Sequence, residues 1–208
     1  MDNPEVFKFF PIPVFKFKFE KFRYFNEELS NFIYKLYEED SKGVDRSNRG
    51  GWHSKTFELN DKNSIQLKFA LELQKYILKT FTNLGWKTEN QNIRIREMWA
   101  IINKKDDFNV VHTHPNSLLS AAYYVKAPKN CGHLVFESQN EFSEYNLMSV
   151  QKQETIDEYL ACPAYRIVPT EGLMVLFPSH LRHYVDQNES DEDRISMAFN
   201  IDFRLIDG

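Results

Sequence analysis

The second half of this 208-residue chain is cut into short apolar runs, and that cadence narrows the fold more than any other feature. After Asn90 come "IRIREMWAII", "NVVHTH", "LLSAAYYV", "HLVFES", "YRIVP", "GLMVLFP", "HYVDQ" and "RISMAFNIDFRL", divided by Pro, Gly, Asn and Asp. Runs of this length, rich in β-branched and aromatic residues and bounded by turn formers, read as strands. About eight in succession fit a double-sheet jelly roll.

The first ninety residues follow other periods. "FKFKF" alternates Phe15, Phe17 and Phe19 with Lys16 and Lys18, a strand with one apolar face. From Asn26 to about Glu39, the residues Leu29, Phe32, Ile33, Leu36 and Tyr37 recur at helical spacing, with Asn26 read as the N-cap. A second helix, from about Ser64 to Thr82, carries Phe69, Leu73, Tyr76, Ile77 and Phe81 and stops at Gly85. The stretch between them, "SKGVDRSNRGGWHS", reads as a polar loop. The expectation is one mainly β domain: a jelly-roll core over 91–208, supported by a strand and two helices in 1–90. The polar, acidic segment at 139–159 reads as an insertion between strands, of a kind that can rim a site but is more commonly a merely solvated loop.

Bulk properties remove several classes of partner. A formal charge of −4 provides no basic field for a phosphate backbone, so nucleic acid is not expected. Cys131 and Cys162 form neither a CxxC pair nor a disulfide framework, which suits a reducing compartment. No apolar run has the length of a membrane span, and "MDNPEVFKFF" lacks the apolar segment of a signal peptide. A cytoplasmic protein with no membrane partner is expected, in the host cytoplasm if the chain is virus-encoded.

The chemistry concentrates in three motifs. "VHTHPNS" sets His112 and His114 two positions apart, and in extended chain i and i+2 share a face, so both imidazoles aim at one point. A third metal ligand is offered by His183 in "LFPSHLRHYV". Eleven positions later comes Arg194, a spacing that suggests a hairpin with both side chains in one cavity. Arg194 and Ser196 again share a face, and a guanidinium beside a hydroxyl can hold a carboxylate. Alternatively, Arg194 pairs at the surface with the acidic "ESDED" loop. Trp99, Tyr123 and Tyr124 are candidates to line a pocket, although strand aromatics more often fill cores. His180 is read as structural, and His53 and His133 have no assigned partner.

Taken in order, HxH, GxxxxFPSxxxHxV and RxSxxFN resemble the 2-oxoglutarate/Fe(II)-dependent oxygenases, in particular a branch common in marine bacteria and their phages. The likeness runs along nearly the whole chain, through "FPIPVF", "GGWHS", the Trp99 strand and "HTHPNSLLSAAYYV". It implies a double-stranded β-helix that holds Fe(II) through His112, His114 and His183. It also implies that 2-oxoglutarate is held by Arg194 and Ser196 in a pocket with Tyr124 and Trp99. The reaction implied is oxidative decarboxylation of 2-oxoglutarate coupled to substrate oxidation, most simply hydroxylation. The usual family motif is HxD, so His114 stands where a carboxylate is expected. Three imidazoles would leave the metal with one more positive charge, unless His114 stands aside and a water completes the site. Two alternatives stay open: a three-histidine cupin-type dioxygenase that does not use 2-oxoglutarate, and a non-catalytic jelly-roll binding module. Arg194 with Ser196 distinguishes them, having no purpose without a carboxylate cosubstrate. The substrate, small molecule or protein, is not legible, and a homodimer is left open.

Overall fold

The computed structural model describes residues 11–89, 91–139, 152, 154 and 162–205. Strand β1 (Phe15–Lys18) leads into helix α1 (Phe22–Glu39), then β2 (Asn48–Arg49), β3 (Trp52–His53) and helix α2 (Ile65–Asn83). Eight strands follow, as the cadence of apolar runs predicts: β4 (Gln91–Asn103), β5 (Phe108–His112), β6 (Leu119–Lys126), β7 (Leu134–Glu137), β8 (Ala164–Ile167), β9 (Leu173–Pro178), β10 (His183–Val185) and β11 (Arg194–Leu205). They form two antiparallel sheets, one ordered β1-β9-β6-β11-β4-β3 and the other β2-β5-β10-β7-β8.

Alternation along the central strands of the larger sheet divides core from cavity. Strand β11 pairs with β4 from Arg194↔Asn103 to Leu205↔Gln91 and with β6 on its other side. One face carries Met98, Ala100, Ile102, Tyr123, Val125, Ile195, Met197, Phe199 and Ile201, buried against Leu29 and Ile33 of α1 and Phe69, Leu73, Ile77 and Phe81 of α2. Burying each large apolar side chain of that set contributes roughly 1.5–3 kcal/mol, so the helix layer anchors the sheet. The opposite face, with Trp99, Ile101, Tyr124, Ser196 and Ala198, looks into a cavity between the sheets.

Helix α1 begins at Phe22, and Asn26 lies inside it rather than capping it. Its cap position, Lys21, makes no side-chain cap bond. Asn26 is buried; its Nδ2 donates to the Val125 carbonyl at 2.7 Å, and its Oδ1 accepts from the Tyr123 hydroxyl. A side chain that resembles a start signal instead fastens the helix to β6. Helix α2 follows its sequence signals: Ser64 caps it, accepting from the Leu67 N–H at 3.4 Å, and Gly85 ends it at φ 78°.

The polar loop between the helices holds two short strands that periodicity cannot reveal. Strand β2 joins β5 through Asn48↔Asn109, and β3 joins β4 through Trp52↔Ile102 and His53↔Ile101. One loop therefore touches both sheets and roofs the space between them. The spacing of His183 and Arg194 is not that of a hairpin either. Strand β10 belongs to the smaller sheet and β11 to the larger, so the intervening loop crosses from one to the other. The insertion read at 139–159 lies outside the described residues apart from 139, 152 and 154. No helix among the described residues is long and apolar enough to cross a membrane.

Candidate active site

Register builds the histidine cluster. His112 at the end of β5 is the direct cross-strand partner of His183 at the start of β10. Strand β5 ends there, and the chain beyond it is pinned where the His114 N–H donates to the Ser179 carbonyl at 2.9 Å. The i, i+2 spacing thus brings both rings to one site, as expected, although His114 stands in the loop just past the strand. Ring centroids lie 4.3 Å apart for His112 and His183, 5.1 Å for His112 and His114, and 5.1 Å for His114 and His183. One ligand nitrogen from each falls within 4.8 Å of the others.

The hydrogen bonds prepare two of these rings for a metal. His112 Nδ1 lies 2.8 Å from the Val110 carbonyl, and His183 Nδ1 lies 2.8 Å from that of Leu181. A carbonyl only accepts, so each Nδ1 carries the proton and each Nε2 is left unprotonated, with the Ser47 hydroxyl 3.5 Å from that of His112. His114 Nε2 faces His183 Nε2 at 3.3 Å. Two imidazole–metal bonds of ordinary length at right angles would separate their nitrogens by about 3 Å, so this spacing suits a shared ion. Burial lowers the pKa of all three, to about 4 for His114 and about 3 for His183, and the neighbouring imidazoles add to the effect in those two. All three are therefore neutral at physiological pH, the form that ligates. The donor set fits an Fe(II) held on one face.

At the other end of the cavity lies Arg194, 1% exposed. Among the described residues it has no ion pair to the "ESDED" loop, and its burial removes the surface-bridge alternative. Its NH1 donates to the carbonyls of Cys131 and of Asp186, the latter at 3.2 Å, while its NH2 is buried without a hydrogen-bond partner among the described residues. The Asn103 Nδ2 of the residue paired with it in register is also buried and, among the described residues, unpartnered. A buried cation with unused donors is costly, and a carboxylate would relieve it. Burial pushes the Arg194 pKa down and that of buried Tyr124 up, so Tyr124 keeps its phenolic proton. Ser196 lies opposite Tyr124 in the register, and both line the cavity with Arg194. This end fits the far carboxylate of 2-oxoglutarate.

The histidines, Arg194, Ser196, Tyr124 and Trp99 all line one cavity of about 570 Å³, within the range of small-molecule sites. Tyr123 does not join them; one position out of phase with Tyr124, it faces the helices. His180 is exposed, and His133 pairs at the surface with Asp186 at 3.2 Å. His53 is a residue that sequence reasoning misses. It lines the cavity, stacked on Trp99 with centroids 5.7 Å apart and planes at 12°. Gly132 is missed too; at φ 81° it brings its backbone against Arg194.

A family described as "Putative 2OG-Fe(II) oxygenase" matches residues 97–200, half of the chain. No curated sequence matches. Among solved structures, a Pseudomonas putida prolyl-4-hydroxylase is similar at 13% identity and TM-score 0.62, over 91% of this chain and 92% of that one. HygX of Streptomyces hygroscopicus, with nickel, 2-oxoglutarate and hygromycin B bound, is similar at 12% identity and TM-score 0.62, over 92% and 83%. The collagen prolyl hydroxylase of Paramecium bursaria chlorella virus-1 is similar at 14% identity and TM-score 0.53, over 90% and 94%. At such identities the likeness is one of fold, the double-stranded β-helix.

Proposed function

The chain belongs to the 2OG-Fe(II) oxygenase family, and from that premise we propose that His112, His114 and His183 hold the iron while Arg194, with Ser196 and Tyr124, holds the far carboxylate of 2-oxoglutarate. The enzyme is a non-haem Fe(II), 2-oxoglutarate-dependent oxygenase, and its reaction on the substrate is hydroxylation. Iron and 2-oxoglutarate supply the chemistry: decarboxylation of the cosubstrate to succinate, coupled to oxidation of a substrate by dioxygen.

The protein's residues supply position and protonation state. Val110 and Leu181 carbonyls orient two imidazoles with their Nε2 atoms unprotonated. Phe177 packs edge-on against His183 at 4.7 Å and limits its rotation. Arg194 fixes one end of the cosubstrate, and Tyr124 remains a neutral donor near it. The observation that carries this reading is the buried Arg194 NH2, without a partner among the described residues, in the same cavity as three neutral imidazoles. A three-histidine dioxygenase without 2-oxoglutarate has no use for that group. We further propose a cytoplasmic enzyme that acts on a small molecule or a protein side chain, away from membranes and nucleic acid, with a homodimer as the oligomer to test.

The test of the site is anaerobic addition of Fe(II) and 2-oxoglutarate, read by the visible charge-transfer band of the iron chelate. The wild type is expected to develop the band, and His183→Ala to lose both the band and iron affinity. A His183→Ala protein that bound iron like the wild type would show that the metal sits elsewhere.

A further inference from the structure

Four register rows cross the cavity face of the larger sheet. Arg194 sits with Asn103, Ser196 with Ile101 and Tyr124, Ala198 with Trp99 and Ala122, and Asn200 with Glu97 and Ser120. Six residues of extended strand separate the first row from the last, on the order of 20 Å. The cationic end belongs to the proposed cosubstrate. Two hydrogen-bond acceptors lie on either side of Trp99, Glu97 in the last row and His53 beside Ile101 of the second, and the Trp99 ring lies 5.7 Å from that of His114.

The first acceptor is Glu97. Asn200 Nδ2 donates to its Oε2 at 3.0 Å, Ser120 Oγ holds the Asn200 amide at 2.8 Å, and Arg96 lies 3.4 Å from the same Glu97 oxygen. The Glu97 side chain is 40% exposed, so its Oε1, without a partner among the described residues, faces solvent that a donor-bearing ligand would replace. Arg96 is also committed to the Asn116 carbonyl at 2.6 Å and to Asp202 at 3.9 Å. The second acceptor is His53, 8% exposed. Its Nδ1 lies 2.6 Å from the Ser54 carbonyl and so carries the proton, leaving Nε2 as the ring's acceptor, without a partner among the described residues. Burial holds its pKa down and keeps it neutral. Neither residue belongs to the histidine cluster, and His53 lies outside the segment that matches the family.

We infer that the Trp99 floor of the cavity, between Glu97 and His53, is the substrate subsite, and that Glu97 Oε1 or His53 Nε2 takes a small molecule bearing N–H or O–H donors, an ammonium or alcohol, over Trp99. This inference rests on the proposed placement of 2-oxoglutarate at Arg194. The substrate contributes donors because the protein has left acceptors. Arg46, exposed at the rim, favours the opposite charge, and the test decides between them.

Benzylammonium, benzyl alcohol and benzoate share a ring and differ in the group presented. Each is titrated calorimetrically into wild type, Glu97→Gln and His53→Phe, in protein loaded with Fe(II) and 2-oxoglutarate and in protein without either. Charge-assisted hydrogen bonding predicts that wild type binds benzylammonium roughly tenfold or more tightly than benzoate. Glu97→Gln should shrink that ratio severalfold. His53→Phe, which keeps a ring on Trp99, should weaken benzyl alcohol. Equal affinities, a preference for benzoate, a ratio that survives in Glu97→Gln, or no binding by any probe would overturn the inference. Failure of the wild type to form the 2-oxoglutarate chelate would instead sink the cosubstrate assignment, while the probe order stays readable in the unloaded protein.

Discussion

His114 is where residue chemistry departs from the usual family carboxylate, and its Nε2, 3.3 Å from that of His183, suits the ligand role proposed for it. If it ligates, then His114→Asp, which restores an oxygen ligand, should bind Fe(II) more tightly than His114→Ala, as measured by anaerobic titration. Equal affinities in the two variants would place His114 outside the coordination sphere. The pairing of His112 with His114 is legible in the sequence because two-residue spacing in extended chain leaves little choice of face. The same alternation, beside the apolar "MAF", makes Arg194 and Ser196 legible as neighbours. His53 is not legible, because a two-residue strand in a polar loop has no period, and only its pairing with Ile101 carries it over the cavity.

Elements hold these residues in place through contacts that composition does not announce. Pairing of β5 with β10 sets His112 against His183, but which strands share a sheet depends on long-range register, and the spacing of His183 and Arg194 misleads on that point. Asn26 misleads in a similar way: its amide resembles a cap and serves as a buried tie to β6. Gly132 precedes β7 at φ 81°, where an added Cβ would meet the Gln187 carbonyl at 2.6 Å and Arg194 NH1 at 2.8 Å. Gly132→Ala should therefore cost about 1–2 kcal/mol from backbone handedness alone. It should also displace Arg194 and weaken 2-oxoglutarate binding, while iron affinity holds. A loss of stability in urea with unchanged 2-oxoglutarate affinity would show that Gly132 does not position Arg194.

Across the whole molecule, the strand cadence and the two amphipathic helices make the two-layer design legible, while the bridging of both sheets by the loop around residues 48–53 requires the folded chain. The cluster of neutral imidazoles also gives the metal-free protein a pH dependence. In the unfolded chain a histidine titrates near 6.5, and in the fold His114 and His183 titrate at about 4 and about 3. Their contribution is complete above about pH 6.5 and is lost as pH falls toward the folded values, since the unfolded state binds the protons. Urea denaturation of metal-free protein should show a loss on the order of 1 kcal/mol or more between about pH 7 and pH 5, smaller in His114→Asn. An equal loss in both proteins would contradict the assignment. The central claim, that this cavity binds 2-oxoglutarate between three histidines and a buried arginine, is tested most directly by titrating 2-oxoglutarate into Fe(II)-loaded wild type and Arg194→Ala. Removing a charge-assisted pair in a desolvated pocket costs about 2–4 kcal/mol, so affinity should fall roughly thirtyfold to a thousandfold with iron binding intact. Unchanged affinity in Arg194→Ala, or no binding by the wild type, would contradict it.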